Sequence, residues 1–330
     1  MSTSVTPTPA SASARRDATR ASSARASSAR TPTPRRRSTL HRPQLIAAWA
    51  LAIPFLLVFA AMFLVPLGYA GYLSTFTSQL VGGQVFSGLA NYERALNDPS
   101  FWAGLGRVAL FLFVQVPIML VIALFVALAL DTGRVAGSKF VRLAIFVPYA
   151  VPGVVATLMW GYLYGRESGL IAQVLTGVGL PAPDLLSPQN VLGSTMNIVS
   201  WEFIGYNMIV LYAALRSVPT EMYEAAEIDG AGPWRVAWSI KIPAIRSAIL
   251  LTVIFSVIGS FQLFNEPNLL YSIAPNAIGS DFTPNLYAYN VAFRNQDVNY
   301  AAAIAFLLGF LIMIISYVVQ LATSRKERLS

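Results

Sequence analysis

The sequence predicts an all-α, polytopic membrane protein with six membrane-spanning helices and both termini on one side. Three observations predict it. Hydrophobic residues make up 55% of the 330 and charged residues only 12%, too little polar surface for a soluble globule of this length. Apolar runs near the ~20 residues that cross a bilayer recur at about 45–73, 104–130, 140–164, 191–215, 247–270 and 299–323. Cations are lopsided: nineteen of the 23 Lys and Arg lie before span one, in the 131–142 turn, in the 216–246 loop or after span six. The positive-inside rule then places both termini and the 216–246 loop in the cytoplasm.

Residues 1–42 are low-complexity Ser, Thr, Ala, Pro and Arg, with Asp17 the only acid. Such a segment buries too little apolar area to offset its ordering entropy, so it is expected to be a disordered basic tail. Its composition also fits an organellar transit peptide, a reading that requires cleavage where a cytoplasmic tail does not. The net charge of +8 sits mainly in this tail and not on a folded basic face, so basicity reports topology and no nucleic-acid partner is expected. The transmembrane domain is expected over 43–323, followed by a short cytoplasmic tail at 324–330. The single histidine, His41, stands at the mouth of span one without a partner cluster and reads as interfacial, not as a metal ligand. Absence of cysteine removes disulfides, thiol nucleophiles and cysteine metal sites.

Between spans four and five the chain interrupts itself with "EMYEAAEIDGAGPWRVAWSIKIP", Glu221 to Pro243. Pro219 suits a first helical turn, and Glu221 and Glu224 are favourable near its positive end. The helix should run through Ala225 and Ala226, carry Asp229 near its end, and stop at Gly230, which takes a left-handed cap cheaply. Pro233 should open a second short helix through Trp234 and Trp238, ended by Pro243 at the mouth of span five. Small Ala225 and Ala226 leave one face low enough for another protein to approach closely.

Glu224-Ala225-Ala226, then Gly230, then Ile240-Lys241-Ile242-Pro243 resembles the EAA loop of binding-protein-dependent ABC importer permeases. "GLANYERALNDPSFW", "VPYAVPGVVATLMW" and "NYAAAIAF" look like the carbohydrate-uptake, maltose-type subfamily, over roughly residues 45–323. The resemblance implies a type I ABC importer permease fold. It implies a second permease completing the pathway, two cytoplasmic ATPase subunits gripping the EAA loops, and an extracytoplasmic binding protein delivering the solute. Glu224, Ala225, Ala226, Asp229, Gly230 and Pro243 would couple to the ATPase. This chain lacks a phosphate-cradling G-x-x-x-x-G-K-[ST] loop, and "GRVAGSK" at 133–139 has the wrong spacing. ATP and Mg would therefore belong to the partner, with no cofactor on this chain and no catalytic or metal-binding residue in it.

Polar groups at membrane depth are costly unless they face a cavity or one another. At about 100° per residue, Ser256, Ser260, Phe261, Phe264, Asn265 and Asn268 of span five share half the circumference. In span four Trp201, Glu202, Gly205 and Tyr206 share an arc. Hydroxyls and amides beside aromatic faces suit a sugar; Ser and Asn also glue helices together, and for Ser256 and Ser260 both readings stay open. Glu202, Phe203, Tyr206, Ser256 and Ser260 fall where related permeases hold their sugars, which makes them, with Phe264 and Asn265, the expected substrate-binding set. Spans four and five contain no Lys or Arg, which favours a neutral sugar or oligosaccharide. The alternative is a permease for another solute, such as a glycerol-phosphate compound or a polyol. A secondary transporter should show ion-coupling carboxylates or an internal repeat, and a membrane enzyme an acid/base pair or metal site.

Overall fold

The computed structural model describes residues 42–79, 82–167 and 169–327. The expected basic tail, apart from Arg42, lies outside the described residues, as do His41 and 328–330. Two compact units are separated at Ala61 and Met62. The described part of the first is chiefly α1 (Arg42–Phe59), apolar all round, with Leu51, Phe55, Leu57 and Val58 exposed, a surface suited to lipid.

The second unit begins with α2 (Val65–Ser74) and a two-stranded hairpin, β1 (Phe76–Gln79) and β2 (Gly83–Phe86). The hairpin is an addition to the expected helical fold. Its strands pair antiparallel with Phe76 opposite Phe86, and Gly82 and Gly83 take the positive φ of the connection. A short α3 (Ala90–Leu96) leads to α4 (Pro99–Asp131), which starts where the Asp98 side chain accepts from Ser100 N–H. Then come α5 (Ser138–Phe146), a 3-10 turn (Val147–Ala150), α6 (Gly153–Leu163), α7 (Leu170–Gly177) and α8 (Val191–Arg216). The polar segment holds α9 (Glu221–Ile228), α10 (Pro233–Val236), a π-turn (Ala237–Lys241) and α11 (Ile242–Ala244). The chain closes with α12 (Arg246–Phe261), α13 (Asn265–Ile273), α14 (Pro284–Phe293) and α15 (Val298–Glu327).

Four segments among the described residues are long and apolar enough to cross a membrane: Trp49–Ser74, Pro99–Asp131, Val191–Arg216 and Val298–Leu321. The count reaches six if two bent pairs each form one span: Ser138–Ala150 with Gly153–Leu163 at 96°, and Pro233–Ala244 with Arg246–Phe261 at 69°. Spans three and five are thus not the single helices expected. In span three, Pro148 and Pro152 each lack the N–H a continuing helix needs, and the chain turns between them. In span five, α12 ends at Phe261, and Pro267, in the first turn of α13, cannot donate to the carbonyl four residues back. That carbonyl, on Leu263, accepts the Thr283 hydroxyl at 2.9 Å, and Asn285 donates to Gln262 O at 3.3 Å. Pro243 does not end its helix either. It lies within α11, the wide π-turn precedes it, and the bend falls at Ile245.

The centre of the unit is the packing of α4 on α8. Buried positions recur every three or four residues along both helices: Phe111, Gln115, Met119, Ala123 and Ala127 on α4, and Ile198, Glu202, Gly205, Met208, Leu211 and Leu215 on α8. At one end Ala123, Ala127, Leu130, Leu211, Leu215 and Ile245 form an apolar cluster beside the polar segment. At the other, Phe101, Val291, Tyr300 and Ile304 do the same. That second end is bound by a polar knot. Tyr287 and Tyr300 donate to the Asp98 carboxylate at 2.6 and 2.7 Å, while Arg94 pairs with Asp297 at 2.8 Å and lies over the Tyr300 ring. Burial alone would raise the Asp98 carboxyl, but the hydroxyls of Tyr287 and Tyr300 and the N–H groups of Ser100 and Phe101 outweigh it and hold it below its ordinary range.

Candidate functional site

Where α12 stops, the unwound residues Gln262–Phe264 line a cavity of about 270 Å3 that opens between the break, α4 and α8. Phe111, Gln115 and Met119 line it from α4. Val199, Phe203, Tyr206 and Asn207 line it from α8. Ser256, Gly259, Ser260, Gln262, Phe264, Asn265 and Glu266 come from span five and its break. Helix geometry fixes the first two sets, since Phe111, Gln115 and Met119, and Val199, Phe203 and the neighbouring pair Tyr206 and Asn207, follow one another a turn apart.

Six of the seven residues expected around a solute therefore meet at one cavity: Phe203, Tyr206, Ser256, Ser260, Phe264 and Asn265. The break, not one continuous helical face, brings Phe264 and Asn265 beside Ser256 and Ser260, which corrects the single-helix arc drawn across span five. Ser260 donates to Ser256 O at 2.8 Å, so its hydroxyl is partly satisfied within its own helix. Glu202 does not line this cavity. It is 4% exposed, and a methyl built on Gly153 would lie 3.5 Å from its Oε1, which has no hydrogen-bond partner among the described residues. Its place one residue round the helix from Phe203 turns it to the bend of span three.

Gln115, Asn207 and Gln262 were not singled out in the sequence, and Glu266, one of two acids near mid-membrane, was not placed in the substrate set. Gln115 donates to Ser200 Oγ at 3.2 Å and lies 3.3 Å from Met119 Sδ, and Asn207 donates to Phe203 O at 2.9 Å. The signal was an amide inside an apolar run: Gln115 is the one amide of span two, and Asn207 shares span four with Asn197. The aromatic wall also extends beyond expectation, because Tyr149 of the 3-10 turn stacks on Tyr206 with centroids 5.0 Å apart and meets Phe203 edge-on at 5.7 Å. This contact is possible because Gly205 lets α8 touch the backbone of Ile145 and Phe146. No Lys or Arg lines the cavity.

At the polar segment, α9 begins as Tyr223 and Glu224 N–H donate to Thr220 O, with Glu221 and Glu224 in its first turn. It ends at Gly230, whose φ is +79°, where Ala231 N–H returns 2.9 Å to Ala226 O. Ala225 and Asp229 are exposed and Ala226 is half-buried. Met222, Ile228, Trp234 and Trp238 expose apolar surface on the same segment, with Ile228 87% exposed.

Residues 44–328 match the family described as binding-protein-dependent transport system inner membrane component. The chain belongs to this family. The permease is 31% identical over 287 residues to the lactose transport system permease protein LacF of Rhizobium radiobacter, covering 85% of this chain and 95% of that one. It is also 31% identical over 302 residues to the diacetylchitobiose uptake system permease protein NgcF of Streptomyces coelicolor, covering 87% and 84%. Its fold is shared, with a TM-score of 0.76 at 17% identity over 86% of this chain and 96% of the other, with a bacterial ABC transporter that imports the acidic polysaccharide alginate. The permease is a multi-pass transport subunit of the inner membrane.

Proposed function

We propose that this permease moves a neutral sugar or oligosaccharide inward through the cavity at the break of span five. The observation that carries the reading is the lining. Amides and hydroxyls of Gln115, Asn207, Ser256, Ser260, Gln262 and Asn265 alternate with the rings of Phe111, Phe203, Tyr206 and Phe264, and no cation is present to hold an anionic solute. Sugar hydroxyls need donors and acceptors, and their C–H faces rest on aromatic rings. The relatives named for lactose and diacetylchitobiose support a saccharide. A related solved complex holds an alginate pentasaccharide-bound periplasmic protein, which supports delivery by such a carrier.

The cation distribution supports cytoplasmic termini and a cytoplasmic polar segment. There α9 and the exposed Met222, Ile228, Trp234 and Trp238 offer a docking face for a separate ATP-hydrolysing subunit. Glu224, Ala225, Ala226, Asp229, Gly230 and Pro243 shape that face, and a second permease completes the pathway. Membrane vesicles holding the assembled complex and its carrier protein, given a panel of radiolabelled sugars, test the reading. ATP-dependent accumulation of a neutral saccharide, lost in Phe264→Ala and Asn265→Leu at equal complex yield, is expected. Accumulation of anionic solutes only would overturn it.

A further inference from the structure

We propose that the buried ion pair between Lys241 and Asp131, roofed by the Tyr223 ring, is the joint that makes the polar segment and α4 move together. The inference rests on the coupling role given above to the polar segment. Three elements meet here: Asp131 is the last residue of α4, Lys241 closes the π-turn, and Tyr223 lies in α9. Lys241 Nζ donates to Asp131 Oδ2 and sits 4.7 Å from the centroid of the Tyr223 ring. The two charged side chains are 12% and 4% exposed. Of the three ion pairs among the described residues, the other two are far more open to solvent.

Burial is what makes the pair a mechanical link. An exposed pair exchanges partners with water and yields to a pull, whereas two desolvated charges lose compensation as soon as they separate. Apolar surfaces between the same elements could slide with little penalty, since the hydrophobic effect is non-directional. The pair therefore resists shear where apolar packing does not. Tyr223 ties in α9 as well: its ring covers the ammonium, and its hydroxyl is buried without a hydrogen-bond partner among the described residues.

The other end of the link is the cavity. Met119 lies on the same helix as Asp131, ~18 Å away at 1.5 Å per residue. Gln115 and Asn207 both turn their amides to its sulfur, at 3.3 and 3.8 Å. Pro117 leaves Phe113 O without its helical donor, which weakens the helical ladder of α4 between Gln115 and Met119. A pull on Asp131 thus moves Met119 against the two amides that line the cavity. Lys241 and Asp131 are positioning residues, acting on the pathway through α4.

The test uses the full complex with its carrier protein in proteoliposomes, reading solute taken up per ATP hydrolysed. Lys241→Met is expected to keep the ATP-hydrolysing subunits bound and ATP hydrolysis running, while uptake per ATP falls at least tenfold. Lys241→Arg, which keeps the charge, should restore it to within threefold of the parent. A ratio for Lys241→Met within twofold of the parent overturns the proposal, as does uptake that falls only in step with assembled complex. Should Lys241→Met yield no complex, Asp131→Asn is read by the same criteria, and loss of assembly there too makes the pair structural and overturns the proposal. Ala225→Arg, on the exposed face of α9, separates the two readings. If it blocks docking while Lys241→Met couples normally, the joint alone is wrong. If Ala225→Arg docks and transports like the parent, the coupling role of the segment fails and the joint with it.

Discussion

Replacing Gly205 with alanine should split the contact that shapes one wall of the cavity. A Cβ at this position would lie 2.1 Å from Ile145 O, 2.8 Å from Ile145 C and 2.8 Å from Phe146 Cα. All three are backbone atoms, so no rotamer change relieves the clash, and α8 must retreat from α5 by about 1.4 Å to take the Ile145 O contact from 2.1 Å to an ordinary one near 3.5 Å. Overpacking of a well-packed core costs about 1–3 kcal/mol, and a clash with backbone belongs at the upper end. At 3 kcal/mol the folded population falls relative to the unfolded by roughly a hundredfold. The same retreat separates Tyr206 from Tyr149, whose rings stack at 5.0 Å, and so disturbs the cavity. Gly193 is the internal control, since it lies on the same helix, is exposed and has nothing within 4 Å of a built Cβ. Thermal unfolding of the purified complex, followed by size-exclusion, should show a clear drop in midpoint for Gly205→Ala. Gly193→Ala should hold or rise by the usual helix gain of about 0.5–1 kcal/mol. Equal midpoints and equal uptake for the two variants would refute the argument.

Gly230→Val forces a β-branched residue to a φ of +79°, at ~1 kcal/mol or more; insertion should survive while copurification of the ATP-hydrolysing subunits drops. In the cavity, Gln115→Leu removes a hydrogen bond worth about 0.5–1.5 kcal/mol and should raise the uptake KM roughly two- to tenfold by the same arithmetic. Glu202→Gln, at a side chain outside the lining, should leave KM unchanged, as concentration-dependent uptake will show. Asp98→Asn should lower the unfolding midpoint at neutral pH. The Asp98 carboxyl is held below its ordinary range when folded, so its stabilisation is present above the unfolded value and lost as pH falls through the folded one. The gap between parent and variant should therefore close in acid, measured by melting at pH 7 and near pH 3.

Several structural features were readable in residue types. Gly230 announced its left-handed cap, and the acids of the first turn announced the start of α9, because local backbone preference governs both. The hairpin was equally written, in Gly82 and Gly83 between Phe76 and Phe86, but a search for windows the width of a bilayer passes over strands of four residues. Pro267 signalled the break in span five, yet apolar character on both sides made the run look continuous. Hydropathy measures solvent preference and is blind to a missing N–H.

Composition and charge by themselves determined that the chain lives in a membrane, and local spacing determined where its polar segment caps and turns. Both depend on single residues against solvent or on contacts within one helical turn. Only the tertiary structure decided which polar residues share a cavity. Gln115, Asn207 and Asn265 are far apart in sequence, and their meeting depends on how α4, α8 and the broken span pack. It also decided that Asp131 meets Lys241 across 110 residues and that Glu202 turns away from the cavity lined by its neighbour Phe203. A helix in lipid is apolar on nearly every side, so its sequence does not mark the face that will find a partner. Close approach of the backbones, allowed by Gly205 and blocked elsewhere by larger side chains, selects that face.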